Sequence, residues 1–332
     1  MTPMAKLLPL LMRGCAAASL ATVALPVAAA QAQQSTGAAE PQTGASVPRS
    51  IFSGRRSEDV FAAQVLLDRG RHSPGVIDGL SGGNTARAIR AYERANGLTV
   101  DGKVDPKLLA KLRAGDANEV MQRYTLTPED VEGPFVKIPS GMGAMAKLDN
   151  LAFESAAEAL AEKFHMSQPL LKAFNPGVDF NVAGTEIVVA AATGGIDSKV
   201  ARIEVDKAGG VLRAYGADGG IVATYPATIG SGDFPSPSGE MKVKAIAAAP
   251  KYYFDPAGRE WGPDRKLQIA AGPNNPVGST WIDLSKEGYG IHGTPDPALI
   301  GKTASHGCVR LTNWDAEALS QMVEQGTVVV FV

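Results

Sequence analysis

The chain has 332 residues, 45% hydrophobic and 20% charged, with a formal net charge of −2. This length predicts two or three domains with buried cores, and the near-zero charge excludes a protein that binds nucleic acid through bulk positive charge. The two cysteines, Cys15 and Cys308, are too few for a disulfide framework, and the absence of a CxxC pair excludes a structural zinc site of that type.

The first 32 residues are typical of a secretory signal peptide. Lys6 and Arg13 precede the uncharged stretch CAAASLATVALPVAAA, after which Ala-Xaa-Ala cleavage sites follow. A membrane anchor is the alternative, but the stretch is shorter than the roughly 20 residues needed to span a bilayer. We therefore expect residues 1–32 to be removed and the mature protein to be exported to the periplasm or cell wall, with no transmembrane segment. Residues 33–54, rich in Gln, Ser, Thr, Gly, Ala and Pro, predict a flexible linker.

Residues 55–115 predict a small all-α domain of three short helices joined by turns that contain Asp-Gly pairs. The third helix begins at Asp105-Pro106, an N-cap followed by proline at the first helical position. This pattern resembles the three-helix peptidoglycan-binding domain of bacterial cell-wall enzymes, with Tyr92-Glu93 in place of the usual aromatic-Gln pair. The resemblance implies binding to peptidoglycan, and a helical spacer without ligand is the alternative.

Residues 120–192 are acidic and predict an α+β module. A strand near Tyr124 is followed by helices that start at Ser155 and Ser167 and by a strand over residues 184–190. The order resembles a divergent LysM-like module with an insert at residues 128–151. The resemblance implies binding of an amino-sugar glycan, and a scaffold that binds no glycan is the alternative. His165, at the end of a predicted helix, is expected to pack or cap.

Residues 199–332 predict a mostly β domain that carries one main helix. Strands are expected over residues 201–206, 210–215, 221–229 and 327–332, and a helix over residues 314–325 with Thr312 or Asn313 as cap and Gly326 as its end. Because strands and helices do not alternate, an α/β fold is not expected.

The chemistry-bearing residues of this domain lie close together in the sequence. His292-Gly293-Thr294 precedes the motif Ser305-His306-Gly307-Cys308-Val309-Arg310-Leu311. Histidine and arginine beside a thiol favour the thiolate, which is the nucleophilic form, and glycine allows close approach of a substrate to the backbone. Two alternatives remain: a structural cysteine, and a zinc site formed by His292, His306 and Cys308. The pattern favours a cysteine nucleophile.

The two motifs resemble the signature of the L,D-transpeptidase (YkuD-type) catalytic domain. Further matches are the turn Ser236-Pro237-Ser238-Gly239, the stretch Asn274-Asn275-Pro276-Val277-Gly278, and Trp281-Ile282 before the histidine. The resemblance implies that Cys308 is the nucleophile and His292 the general base and acid, with the carbonyl of Gly293 orienting the imidazole.

The same resemblance implies roles for the residues around the cysteine. The amides of Gly307 and Cys308 are expected to form an oxyanion hole, while Ser305 and His306 are expected to line the site, His306 ordering the loop. Arg310 is expected to anchor a stem-peptide carboxylate or to support the cysteine loop, with a structural ion pair as the alternative.

The function implied by the resemblance is cross-linking of peptidoglycan, and hence cell-wall organisation and cell shape. Cys308 forms a thioester with a donor stem peptide, releases D-alanine, and passes the acyl group to an amine of a neighbouring stem. No metal or other cofactor is expected, and the partners are peptidoglycan stem peptides and glycan. Alternatives are an L,D-carboxypeptidase, an enzyme that anchors a protein lysine to peptidoglycan, and a non-catalytic wall-binding protein.

Overall fold

The structure is a computed structural model that describes residues 45–192, 198–230, 232, 235–257, 262–305 and 307–332. The predicted signal peptide, residues 33–44 of the predicted linker, and His306 lie outside the described residues. Among the helices in these ranges, none is both long and apolar enough to cross a membrane.

The first part of the chain forms the three predicted helices. They are α1 (Glu58–Arg69), α2 (Gly83–Ala95) and α3 (Pro106–Gly115). Asp105 caps α3 as expected, because its side chain accepts the N–H of Leu108 at 2.7 Å. Glu93 is buried and accepts the N–H groups of Asp101 and Gly102 at 3.1 and 3.0 Å. The glutamate that replaces the usual glutamine therefore holds the turn after α2.

The middle part has the predicted order of strand, two helices and strand. Its elements are β1 (Met121–Thr125), α4 (Pro128–Glu132), α5 (Met142–Met145), α6 (Ala156–Lys163), α7 (Gln168–Phe174) and β2 (Glu186–Ala190). The strands β1 and β2 pair antiparallel. The short helices α4 and α5 lie within the predicted insert. The LysM-like assignment of this part stays a prediction.

The two front parts, predicted as separate modules, share one hydrophobic core. Buried side chains from Phe61 to Ala192 form a continuous cluster. The end of the predicted linker packs on this core. The ring centroid of Phe52 lies 5.7 Å from that of Phe61 and 6.0 Å from that of Phe174. One large apolar side chain in an otherwise polar stretch is enough to dock its end onto the core.

The last part is the predicted, mostly antiparallel β domain. Its elements are β3 (Arg202–Asp206), β4 (Val211–Tyr215), β5 (Ile221–Pro226), β6 (Thr228–Ile229), β7 (Gly239–Ala248), β8 (Tyr252–Phe254), β9 (Leu267–Ile269), β10 (Thr280–Leu284), β11 (Gly290–His292), β12 (Val309–Arg310), α8 (Asn313–Met322) and β13 (Val328–Phe331). Nine strands form one sheet in the order β5-β4-β3-β13-β7-β10-β11-β12-β6. The pairs β3/β13 and β11/β12 are parallel.

The helix α8 packs on this sheet and is shorter than predicted. Thr312 is its cap, and Ala316, Leu319 and Met322 join the core of the domain. The helix ends at Met322 and not at Gln325, since Val323 already has extended backbone dihedrals.

The front part contacts the β domain directly. The N–H of Ser73 donates to the carbonyl of Thr224 at 2.9 Å, and the N–H of Thr224 donates to the carbonyl of Arg71 at 2.8 Å. The hydroxyl of Ser73 donates to the buried carboxylate of Asp315 on α8 at 3.0 Å. The described residues belong to one compact unit.

Replacing Asp315 with asparagine is expected to change how stability depends on pH. Burial, with a contribution from Asp68, raises the pKa of Asp315 from 3.8 to about 7. The folded state then keeps a proton that the unfolded state releases, so the free energy of unfolding falls as pH rises from about 4 to 7, at up to about 1.4 kcal/mol per pH unit. The amide introduced by Asp315→Asn cannot titrate but keeps an acceptor for Ser73, so this loss disappears.

Denaturant unfolding at several pH values measures the difference between the variant and the parent protein. The exposed Glu240→Gln is the control, because its carboxylate is not buried. His72 and His292, whose pKa values burial lowers to about 4, act in the opposite direction but cancel from the difference. Parallel stability curves for Asp315→Asn and its parent would contradict the prediction.

Candidate active site

The tertiary structure places His292 and Cys308 on or beside two paired strands, β11 and β12. His292 is the last residue of β11 and pairs with Arg310 of the parallel strand β12. Cys308 directly precedes Val309, the first residue of β12, which pairs with Ile291. Because side chains alternate along strands, this register places Cys308, Arg310 and His292 on one face of the sheet.

The imidazole of His292 is held on two sides. Its Nδ1 lies 2.7 Å from the carbonyl oxygen of Gly293, and its ring stacks on Trp281 with centroids 5.5 Å apart. A carbonyl oxygen only accepts hydrogen bonds, so Nδ1 carries the proton in the neutral ring and Nε2 carries the lone pair. This arrangement makes Nε2 the nitrogen that can accept a proton.

His292 is neutral at pH 7. Burial, assisted by the positive charge of Arg310, lowers its pKa from 6.5 to about 4, while the carbonyls of Gly293 and Val277 act in the opposite direction. The side chain is 4% exposed. An uncharged imidazole is chemically able to accept a proton from a thiol.

Cys308 is a half-buried thiol beside a buried cation. Its Sγ lies 3.6 Å from the carbonyl oxygen of Gly288. Burial lowers the pKa of the Arg310 guanidinium, and the negative charge of a Cys308 thiolate opposes that shift. The same attraction favours the thiolate form of Cys308. The Nε of Arg310 is buried without a hydrogen-bond partner among the described residues.

Ser305 organises the cysteine loop and does not line an open site. It is 3% exposed, and its hydroxyl donates to the carbonyl of Cys308 at 2.6 Å while it accepts the N–H of Gly230 at 2.7 Å. The N–H of Gly307 also points to this hydroxyl, at 3.3 Å. The expectation that Ser305 lines the site therefore needs correction, because its polar atoms are used within the loop.

Gly307 occupies a position that a larger residue would strain. Its φ is +109°, and a Cβ there would lie 2.9 Å from a ring carbon of Tyr289. We expect Gly307→Ala to destabilise the fold by about 1–3 kcal/mol and to slow alkylation of the adjacent Cys308 thiol. Thermal unfolding and iodoacetamide labelling measure both effects.

Gly326→Ala is the matched control, since Gly326 has a φ of +95° but nothing within 4 Å of its added Cβ. It is expected to reproduce the backbone cost without the loss of thiol reactivity. Equal labelling rates for Gly307→Ala and Gly326→Ala would contradict the prediction.

No group of three or more His, Cys, Asp or Glu side chains in the described ranges could hold a metal ion. His306, the third ligand of the zinc alternative, lies outside those ranges. Zinc analysis of protein purified without chelator therefore remains the test of that alternative.

A cavity of about 530 Å³ lies elsewhere, against α6 and α8. Its lining includes Glu162, Asn313 and Trp314 but neither His292 nor Cys308. His165 also lines it, stacked on Trp314 at 5.1 Å and with Nδ1 2.9 Å from a carboxylate oxygen of Asp68. The predicted packing role of His165 agrees with these contacts.

Sequence reasoning missed the roles of several residues around the site. Ser236 was noted only as part of a turn that matches the family, and its hydroxyl donates to the carbonyl of Gly307 at 2.7 Å and holds the cysteine loop. Trp281 was noted only as part of a motif. In the structure Trp281 of β10 pairs with His292 of β11, so their side chains lie on the same face of the sheet, while Ile282 points to the other face. Asn313 was noted only as a candidate cap of the last helix, and nothing else in the sequence indicated that it accepts the N–H of Thr294.

Two family models match the chain. The model described as the YkuD "L,D-transpeptidase catalytic domain" matches residues 200–331, and the model described as "Putative peptidoglycan binding domain" matches residues 56–112.

Relatives and solved structures carry the same family name. "Putative L,D-transpeptidase YkuD" of Bacillus licheniformis is 31% identical over 171 residues, which cover 51% of this chain and 89% of that protein. The Bacillus subtilis protein of that name is 33% identical over 107 residues, so the chain spans 51% of its length and the match covers 32% of this chain. Crystalline L,D-transpeptidase 3 of Mycobacterium tuberculosis, in complex with a faropenem-derived adduct, is 16% identical with a TM-score of 0.34, over 45% of this chain and 74% of that one. The chain belongs to the YkuD family of L,D-transpeptidases.

Proposed function

We propose that this protein is a peptidoglycan L,D-transpeptidase that uses Cys308 as nucleophile and His292 as general base and acid. One observation carries the proposal: the Gly293 carbonyl binds Nδ1 of a neutral, buried His292 on the strand beside Cys308, which leaves Nε2 unprotonated. A thiol, a neutral base and a group that orients the base are the components of nucleophilic acyl transfer.

In the first step His292 accepts the Cys308 proton and the thiolate attacks the carbonyl carbon of the third stem residue. The bond to the terminal D-alanine breaks, its nitrogen takes the proton from His292, and a thioester remains. Formation of the thiolate raises the proton affinity of the adjacent imidazole, which offsets the low pKa of the resting ring. Arg310 stabilises the same negative charge.

The tetrahedral intermediate requires donors for its oxyanion. The Cys308 amide is the first of these donors in the proposal. The N–H of Gly307 lies 3.3 Å from the hydroxyl oxygen of Ser305. It can donate to the oxyanion only if it gives up this contact.

In the second step an amine of a neighbouring stem attacks the thioester and gives its excess proton to His292. The carbon–sulfur bond breaks, the thiol is regenerated, and a new amide joins two stems. Each step moves one proton and exchanges one acyl bond, so no cofactor is needed for the balance.

Arg310 is proposed to bind a carboxylate of the stem peptide. Its buried Nε has no hydrogen-bond partner among the described residues, so a planar anion would satisfy it. Support of the cysteine loop is the second candidate role, and it is favoured by the pairing of Arg310 with Thr228 and His292 on both sides of β12.

The front part is proposed to hold the enzyme on the cell wall, which raises the effective concentration of substrate. The match of residues 56–112 to a peptidoglycan-binding family supports this role. Export to the periplasm follows from the same proposal.

Water as acceptor would give an L,D-carboxypeptidase, and a protein lysine would give an anchoring enzyme. Incubating the purified protein with disaccharide-tetrapeptide and analysing the products by mass spectrometry separates these outcomes. Cross-linked dimer with release of alanine is expected. Release of alanine without dimer would replace the cross-linking proposal with the carboxypeptidase.

Covalent labelling with a carbapenem tests whether the site is catalytic at all. We expect a mass increase on Cys308 of the folded protein. A folded protein without an adduct on Cys308 would favour the non-catalytic wall-binding alternative.

A further inference from the structure

Asn313, the first residue of α8, holds the peptide unit that follows His292. Its side chain is buried, and Oδ1 accepts the N–H of Thr294 at 3.0 Å and the N–H of Ser279 at 3.1 Å. A Cβ added to Gly293 would lie 2.2 Å from Oδ1, so this close approach requires glycine at position 293. Asn313 therefore lies directly against the Gly293–Thr294 peptide.

The other end of the same amide reaches the front part of the chain. Nδ2 of Asn313 donates to Oε2 of Glu162 on α6 at 3.0 Å and to the carbonyl of Pro273 at 3.1 Å. Flipping the amide would place its NH₂ group against two N–H donors, so the observed orientation is the one its partners allow. The amide is thus fixed at both ends, and Glu162 supplies one of the fixing contacts.

Peptide geometry links these contacts to His292. The carbonyl of Gly293, which accepts from Nδ1 of His292 at 2.7 Å, and the N–H of Thr294 belong to one planar peptide unit. Holding the N–H toward Asn313 therefore sets the direction of the carbonyl toward the imidazole. A hydrogen bond at the N–H also makes the carbonyl a stronger acceptor.

We propose that Glu162 and Asn313 are positioning residues that orient His292 through the Gly293–Thr294 peptide. The inference rests on the proposed function, because it assigns His292 the role of base. Glu162 lies outside residues 200–331, which match the catalytic family. In this proposal the front part supports the base through Asn313, in addition to holding the enzyme on its substrate.

Variants of Glu162 in the full chain test the proposal. Glu162→Ala removes the acceptor, and we expect acylation of Cys308 by a carbapenem to slow about tenfold. Glu162→Gln keeps an amide oxygen that can accept from Asn313, so its rate is expected to stay within about twofold of the parent. A tenfold loss in both variants would mean that Glu162 does not act as a hydrogen-bond acceptor for Asn313, and would overturn the proposal.

Glu158→Ala is the matched control. Glu158 lies one turn earlier on α6 and accepts from the side chain of Asn274 at 3.0 Å, so it makes the same kind of contact with the β domain without touching Asn313. We expect it to lower thermal stability about as much as Glu162→Ala and to leave the acylation rate within about twofold. Equal acylation rates for Glu158→Ala and Glu162→Ala would overturn the proposal.

Two readouts distinguish positioning from general stability. The imidazole ¹⁵N signals of His292 are expected to show the Nδ1–H tautomer in the parent and a mixture of tautomers in Glu162→Ala. In a double-mutant cycle, Glu162→Ala with Asn313→Ala is expected to be no slower than Asn313→Ala alone, because both act through one path. Additive losses, or unchanged ¹⁵N signals, would overturn the proposal.

The ¹⁵N signals and the acylation of Cys308 by a carbapenem need no peptidoglycan. If the parent enzyme makes no cross-links but the variants change these readouts as expected, the proposed function fails and the positioning inference stands. If the parent makes cross-links and the readouts do not change, the inference alone fails.

Discussion

Replacing Cys308 with alanine is expected to abolish acyl transfer, with a loss of about 10⁴-fold or more in the rate of cross-link formation. The thiol is the only group in the proposed scheme that forms a bond to the substrate, so no neighbouring residue can replace it. Cys308→Ser is expected to be nearly as inactive. A neutral imidazole whose pKa is about 4 is too weak a base for a serine hydroxyl.

The measurement is product formation from disaccharide-tetrapeptide, with intact-mass analysis after exposure to a carbapenem. Both variants are expected to keep the thermal stability of the parent within a few degrees, since Cys308 is half-buried. They are also expected to keep any binding to insoluble peptidoglycan. Cross-links formed by Cys308→Ala would show that the nucleophile is another residue.

Replacing His292 with glutamine is expected to slow acylation of Cys308 by about 10²–10⁴-fold. Glutamine can still donate to the Gly293 carbonyl but cannot accept and return a proton. In the parent enzyme the base is the neutral imidazole, which is present above its pKa of about 4 and is lost as pH falls through that value. The acylation rate of the parent should therefore fall as pH decreases through about 4. The rate of the His292→Gln variant should not show this decrease.

His72→Gln is the matched control for this experiment. Burial lowers the pKa of His72 to about 4 as well, but His72 contacts Thr224 and Tyr92 and no thiol of the described residues. Its replacement is expected to change stability and to leave the acylation rate within about twofold. If His72→Gln slowed acylation as much as His292→Gln, the loss would come from damage to the fold and the assignment of the base would be wrong.

Much of the architecture was predictable from local patterns. Capping residues such as Asp105 and Ser155 mark helix starts, and the alternation of buried residues in strands such as β3 marks the β domain. The predicted ends of helices were less accurate: α8 ends at Met322, three residues before the predicted end. The shared core of the two front parts was not predicted, because composition suggests linkers and domains but does not say which surfaces pack together.

The candidate site was predictable to the level of its motifs. Cys308, His292 and Gly293 follow from a specific pattern of residues. The structure shows the contact between His292 and the Gly293 carbonyl and places Cys308 directly before the strand that pairs with β11, and the catalytic roles of these residues stay a proposal. The assignment of Ser305 to the lining of the site needed correction, because the pattern says nothing about which partners its hydroxyl finds. The contact of Ser236 with Gly307 was not predicted for the same reason, since it joins residues 71 positions apart.

The sequence by itself determined the chemistry available to this protein: one thiol after the predicted signal peptide, histidines and an arginine near it, and the order of the three parts. Only the tertiary structure decided which nitrogen of His292 is unprotonated, how far burial lowers its pKa, and that Glu162 reaches Asn313 across 151 residues of chain. The physical reason is that a side chain's identity is a local property of the chain. Burial, tautomer and hydrogen-bond partners depend on neighbours that folding brings together from distant positions.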